Sequence, residues 1–152
     1  MKFRMVDRIL DYQPRRRIVG VKTVSFEEYQ LKSAFAGPPA LPETLLMEAI
    51  FQLGNWLIVL SSDFTKMGLL VRLDEVRFDD QPGPGQAVIL QADVRSWRDD
   101  GIVFDGLAFV AGRQIAAGRG CLAVPADLAD FHDPADLRVL FSEIFRKAEV
   151  GP

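Results

Sequence analysis

The sequence predicts an α+β domain in which a curved antiparallel sheet wraps around one long buried helix. Three observations predict it. The helix expected from about Pro42 to Leu60 is apolar on nearly every side, and a helix of that kind must be covered all round. The runs that flank it alternate apolar and polar residues with the period of a strand. Those strands follow one another through short turns instead of alternating with helices, which indicates α+β and not α/β.

The 152 residues suit one domain with a full core. Hydrophobic content of 49% and charged content of 26% are ordinary for a soluble globular protein. A net charge of −3 argues against nucleic acid as the main partner. One cysteine, Cys121, excludes an internal disulfide framework and sits in an apolar run as a small core residue. The start lacks the long apolar region of a signal peptide. Leu45 to Leu60 is interrupted by Glu48, Gln52, Gly54 and Asn55 and falls short of a membrane span. The chain therefore reads as soluble and cytoplasmic, and no motif calls for a cofactor or a metal.

In order, Met5 to Tyr12 predicts a short helical turn running into extended chain, ended by Pro14. Arg15, Arg16 and Arg17 form a basic cluster, either a solvated turn or a docking point for an acidic partner. Ile18 to Phe26 is rich in β-branched residues and reads as a strand. Glu27 to Ser33 is a polar connection. Gly37, Pro38, Pro39 and Pro42 then make a stiff entry to the central helix. Pro42 suits the first helical position. Leu41 is a poor N-cap, so the N–H groups at the helix start lack a side-chain partner. Such groups can polarise a carbonyl or hold an anion.

Within the helix, Thr44, Glu48, Gln52 and Asn55 step by four, four and three, and so share one narrow polar stripe. A carboxylate in an apolar wall is costly unless paired. Glu48 is therefore either a candidate catalytic base or a structural residue held by an arginine. The expected pocket is an apolar tunnel beside the helix with Glu48 facing it.

After the helix, Ser61 to Lys66 is a loop in which Asp63 and Phe64 turn back onto the core. Gly68 to Phe78, Ala87 to Trp97, Ile102 to Ala111 and Gln114 to Val124 read as strands. They are separated by the Gln81-Pro82-Gly83-Pro84-Gly85 turn, an Asp99-Asp100-Gly101 hairpin and Gly112-Arg113. Asp133, Pro134 and Asp136 mark a helix start. Leu137, Leu140, Phe141, Ile144, Phe145 and Ala148 recur at helical spacing, on a helix that must pack on the domain or on a partner subunit. His132, the only histidine, lies in the preceding loop, where the sequence gives it no neighbours for nucleophilic or metal chemistry. One strand, a long helix and four strands make the hotdog fold, whose edge strand and open helix face call for a dimer. The domain is read as residues 1–124, with 125–152 as a C-terminal extension.

Four segments also carry a family likeness. Met5-Val6-Asp7-Arg8-Ile9-Leu10 is similar to "LVDRVL". Phe35 to Ala49 is similar to "HFPGxPxxPGVLxxEA". Val76-Arg77-Phe78 with Pro82 to Gly85 is similar to "KFRxPVxPGD", and Ala108 to Gly112 with Ile115-Ala116 to "AxVDGxxVA". In these the chain resembles the (3R)-hydroxyacyl-acyl carrier protein dehydratases.

The resemblance implies removal of water from a 3-hydroxyacyl thioester by a histidine base and a carboxylate from opposite subunits. A backbone N–H at the helix start would polarise the thioester carbonyl. Glu48 matches the carboxylate. Ala34 stands at the histidine position, and Glu43 stands where the family has a glycine, its backbone N–H still able to donate. Phe35, Gly37, Met47, Phe51 and Gln52 are the implied substrate-binding residues. The implied partners are acyl carrier protein or an acyl-CoA thioester, and a second copy or a histidine-bearing relative. Loss of a general base forfeits about 10²–10⁴ in rate, so the resemblance implies a homodimer crippled as a dehydratase. A mixed dimer would hold one working site. A thioesterase using Glu48 and the Glu43 amide, or a structural partner without ligand, are the other readings.

Overall fold

A computed structural model describes residues 3–26 and 40–147. Seven strands form one antiparallel sheet among these residues: β1 (Arg8–Gln13), β2 (Arg17–Thr23), β3 (Lys66–Arg72), β4 (Glu75–Phe78), β5 (Ala87–Arg98), β6 (Gly101–Val110) and β7 (Arg113–Asp127). The order is β1-β2-β5-β6-β7-β3, with β4 also on β7. Helix α1 (Glu43–Ser61) lies against the sheet, and α2 (Pro134–Ile144) follows β7 after a 3-10 turn at Leu128–Asp130. The hotdog architecture is that expected from the sequence.

The sheet is shaped to receive α1. Inward residues alternate along β5 (Val88, Leu90, Ala92) and β6 (Ile102, Phe104, Ala108), and all are buried. They meet Leu46, Ile50, Leu53 and Leu57 of α1 in one core. Two glycines set the spacing. A Cβ at Gly54 would lie 2.4 Å from the Phe104 ring, and one at Gly106 would lie 2.1 Å from Ile50 Cγ2. Helix and sheet therefore touch where neither position carries a side chain. By length and hydropathy α1 could cross a membrane, but half of that window is buried inside the protein, as in a core helix.

The structure changes several boundaries. Met5 to Tyr12 does not form a helical turn: Arg8–Gln13 is a strand paired to β2, with a register shift between Ile9 and Asp11. So short a segment cannot repay helix nucleation, whereas pairing buries Ile9 completely. The strand expected to reach Phe26 ends at Thr23, and the last strand continues beyond Val124 to Asp127. Gly68 to Phe78 is not one strand. Both β3 and β4 pair with β7, through Leu122 to Asp127 and Ala116 to Arg119 respectively. Between these stretches Gly120 takes φ +65°, and a Cβ there would lie 2.3 Å from Asp74 Oδ2. Asp105 Oδ1 accepts from Gly120 N at 2.9 Å. This bulge in β7 interrupts its neighbour.

At the start of α1, Pro42 is the N-cap, not the first helical residue; its φ of −55° and ψ of 143° are extended. Its carbonyl accepts from Leu45 N and Leu46 N, each at 3.0 Å. Among the described residues no side chain caps this end. At the other end Asp63 and Phe64 both take positive φ, and Phe64 N donates to Val59 O at 2.8 Å. Phe64 is thereby buried against Leu128 and Val59.

Helix α2 packs on its own domain. Asp133 caps it, with Oδ1 accepting from Ala135 N at 2.9 Å. Phe141 meets the rings of Tyr12, Trp56 and Phe64 at centroid distances of 6.0, 6.2 and 6.1 Å. Arg146 N donates to Ile9 O at 2.9 Å, joining the end of α2 to β1.

Candidate functional site

The polar stripe of α1 is real, and its members do different work. Gln52 is the hub. Its Nε2 donates to Glu48 Oε1 at 2.9 Å and to Phe3 O at 3.2 Å, and its Oε1 accepts from Met5 N at 2.8 Å. Asn55 Oδ1 accepts from Gly68 N at 2.9 Å, which ties β3 to the helix. Thr44 is exposed near the helix start. Glu48 is half-buried, and its hydrogen-bond partner is Gln52. Among the described residues no arginine forms an ion pair with it, so a structural Arg–Glu pair is not what holds it.

Glu48, Gln52 and Asn55 line two cavities, one on each side of the stripe. The first, about 410 Å³, is a groove between α1 and β3 walled by Phe51, Ile58, Leu69, Leu70 and Phe104. The second, about 360 Å³, lies between α1 and α2 and is walled by Trp56, Val59, Leu128, Leu137 and Leu140, with Arg4, His132 and Asp136 also on it. Both are largely apolar with a few convergent polar groups, the usual make-up of a small-molecule site. Each volume falls within the range of such sites.

The residues expected at the site separate accordingly. Phe51 lines the β3 groove, and Gln52 lines both cavities. Met47 is in the core, with its sulfur 3.0 Å from where a Cβ on Gly118 would stand. Glu43 is exposed at the first position of α1 and lines neither cavity. Ala34, Phe35 and Gly37 lie outside the described residues. Among the described residues no group of three or more His, Cys, Asp and Glu side chains is placed to hold a metal. Cys121 is fully buried, and desolvation, then the charge of Asp105, push its thiol pKa up to about 12.

Residues 1–119 match the family model described as the FabA-like domain. The chain belongs to the FabA-like family. Relatives named 3-hydroxyacyl-[acyl-carrier-protein] dehydratase FabZ come from several bacteria. The protein from Moorella thermoacetica is 33% identical over 123 residues, covering 80% of this chain and 86% of that one. The protein from Syntrophotalea carbinolica is 32% identical over 116 residues, covering 75% and 79%. Among solved structures, the fluoroacetyl-CoA thioesterase FlK superposes with a TM-score of 0.65 at 15% identity, over 85% of this chain and 97% of that one. That likeness speaks for the fold. The resemblance to the dehydratases read from the four sequence segments is thus sound.

The FabA-like match ends before α2, yet α2 and its preceding loop build one wall of the second cavity. His132, which the sequence leaves without neighbours, is on that wall together with Glu48. Its signal was indirect. An amphipathic helix that must dock carries the residue before its cap to the docking surface. Asn55 and Trp56 were also absent from the expected set; Asn55 was in the stripe, but a stripe alone does not say which members face a cavity.

Proposed function

We propose that this FabA-like protein binds acyl thioesters, carried on acyl carrier protein or coenzyme A, with the thioester end at Glu48. The observation that carries this reading is Glu48 itself: a carboxylate set by Gln52 in the wall of an apolar groove, with no ion pair among the described residues. As in the dehydratase relatives' chemistry, Glu48 would help a C3 hydroxyl depart. Ala34 supplies no base, so a second copy makes a poor dehydratase and a histidine-bearing relative completes one site of a mixed dimer. Two features of the β3 side support a subunit there. β3 ends the strand order, and Leu69, Leu70 and Val71 on it are 40%, 39% and 60% exposed. The hotdog body is residues 1–124, and 125–152 is an addition to it.

Purification from the native host with mass spectrometry of co-purifying proteins and bound acyl groups tests this. An acyl-loaded protein with a histidine-bearing hotdog partner is the expected result; neither one overturns it. The uncapped start of α1 favours one other reading, a thioesterase in which Glu48 activates water and the Glu43 amide holds the oxyanion. Hydrolysis of acyl-CoA by the unmodified protein, lost in Glu48→Gln, would establish that reading instead.

A further inference from the structure

The cavity between α1 and α2 adjoins Glu48 yet is walled on one side by residues beyond the FabA-like match. Its polar residues on α1 are Glu48, Gln52 and Asn55, the same three that face the β3 groove. Further along α1, Trp56 and Val59 face Leu137 and Leu140 of α2 across it. A ligand whose polar end rests on the stripe can therefore run an apolar tail along α1 beneath α2. The roof is fixed in place. Phe141 is held by three rings, Arg146 N by Ile9 O, and Arg138 by both Asp63 O and Asp63 Oδ1 at 3.2 Å. These anchors, in the middle of α2 and just past its end, hold the roof against the domain.

We infer that this cavity receives the distal part of an acyl chain whose thioester sits at Glu48, and that Leu137 and Leu140 of α2 set the chain length accepted. The inference rests on the acyl thioester reading above. The cavity of about 360 Å³ lies near the lower end for small-molecule pockets, so a straight medium chain is the occupant that suits it. The side chains that face one another along this part of the cavity, Trp56, Val59, Leu137 and Leu140, are all apolar, so α2 reads the length of the tail.

The test is calorimetric titration of the full chain with butyryl-, octanoyl- and dodecanoyl-CoA. Leu140→Trp fills the cavity. It should weaken octanoyl-CoA binding tenfold or more and leave butyryl-CoA within twofold. Leu137→Ala should move the preference the other way, towards dodecanoyl-CoA. Val139→Trp, on the 59% exposed face of α2, adds the same bulk outside the cavity and should leave all three affinities unchanged. If the wild type binds acyl-CoA but both cavity variants keep its length profile, with melting curves showing them folded, the inference is overturned and the acyl reading stands. Should Leu140→Trp fail to fold, the Leu137→Ala shift decides alone. If the wild type binds neither these acyl-CoAs nor octanoyl-acyl carrier protein, the acyl reading falls and takes the inference with it.

Discussion

The two sides of α1 share a polar stripe and differ in almost everything else. On the β3 side the groove lies beside a sheet edge with exposed leucines, and every wall residue except Ala123 falls within the family match. On the α2 side the roof comes from the chain's own C-terminal segment, and aromatic rings hold it down. The contrast separates what a fold family supplies from what one member adds. The part that matches the family carries Glu48 and the sheet edge at β3. Helix α2, beyond that match, walls the opposite side.

The largest expected effect tests the β3 side. Ala34→His restores a base at the position the resemblance assigns, fourteen residues before Glu48. General-base catalysis contributes about 10²–10⁴-fold. Dehydration of a 3-hydroxyacyl thioester should rise from background towards the lower end of that range, since no supporting shell was built for the new side chain. Glu48→Gln in that variant should return it to background. No gain in a spectrophotometric enoyl assay would mean the site departs from its relatives at more than position 34.

The next effect concerns β7, which carries that side of the sheet. Cys121 is buried with a pKa raised from 9.0 to about 12. Unfolding frees it to ionise at its ordinary value, so between those pH values the unfolded state binds fewer protons. Stability should accordingly be intact below about pH 9 and fall as pH rises towards 12, by up to about 4 kcal/mol. Urea melts across this range should show a shallower decline in Cys121→Ala than in the wild type; parallel declines would remove the thiol from the account.

Helix α2 answers to packing. Phe141→Ala removes the ring shared by Tyr12, Trp56 and Phe64 and should cost roughly 3 kcal/mol. Leu69→Asp on β3 should change monomer stability by about 0.5 kcal/mol or less while abolishing self-association in sedimentation. Should the two variants behave alike, the contrast between a partner-facing and a self-closed side would be wrong. The smallest loss expected on the α2 side is Asp133→Ala, which removes the helix cap and should cost about 1 kcal/mol by chemical denaturation.

What the sequence revealed, and what it hid, follows the range of the interactions. Helix α1, its Glu48–Gln52–Asn55 stripe and the Asp133 cap were legible because periodicity and capping are local. β1 was not, because eight residues can satisfy either period and pairing with β2 decides. The break between β3 and β4 was hidden because its cause, Gly120, sits in a different strand some forty-five residues away. His132 was set aside for the same kind of reason: only the docking of α2 brings its loop to the stripe.

Gln52 has one more consequence. It grips Met5 N and Phe3 O with the same amide group that contacts Glu48. The first residues of the chain are thus wired to the carboxylate. The Met5 amide proton bonds to a side chain, not to a strand neighbour, so its exchange with solvent should report on whether Gln52 is in place. Occupancy of the stripe can then be read by hydrogen exchange from a residue that lines neither cavity.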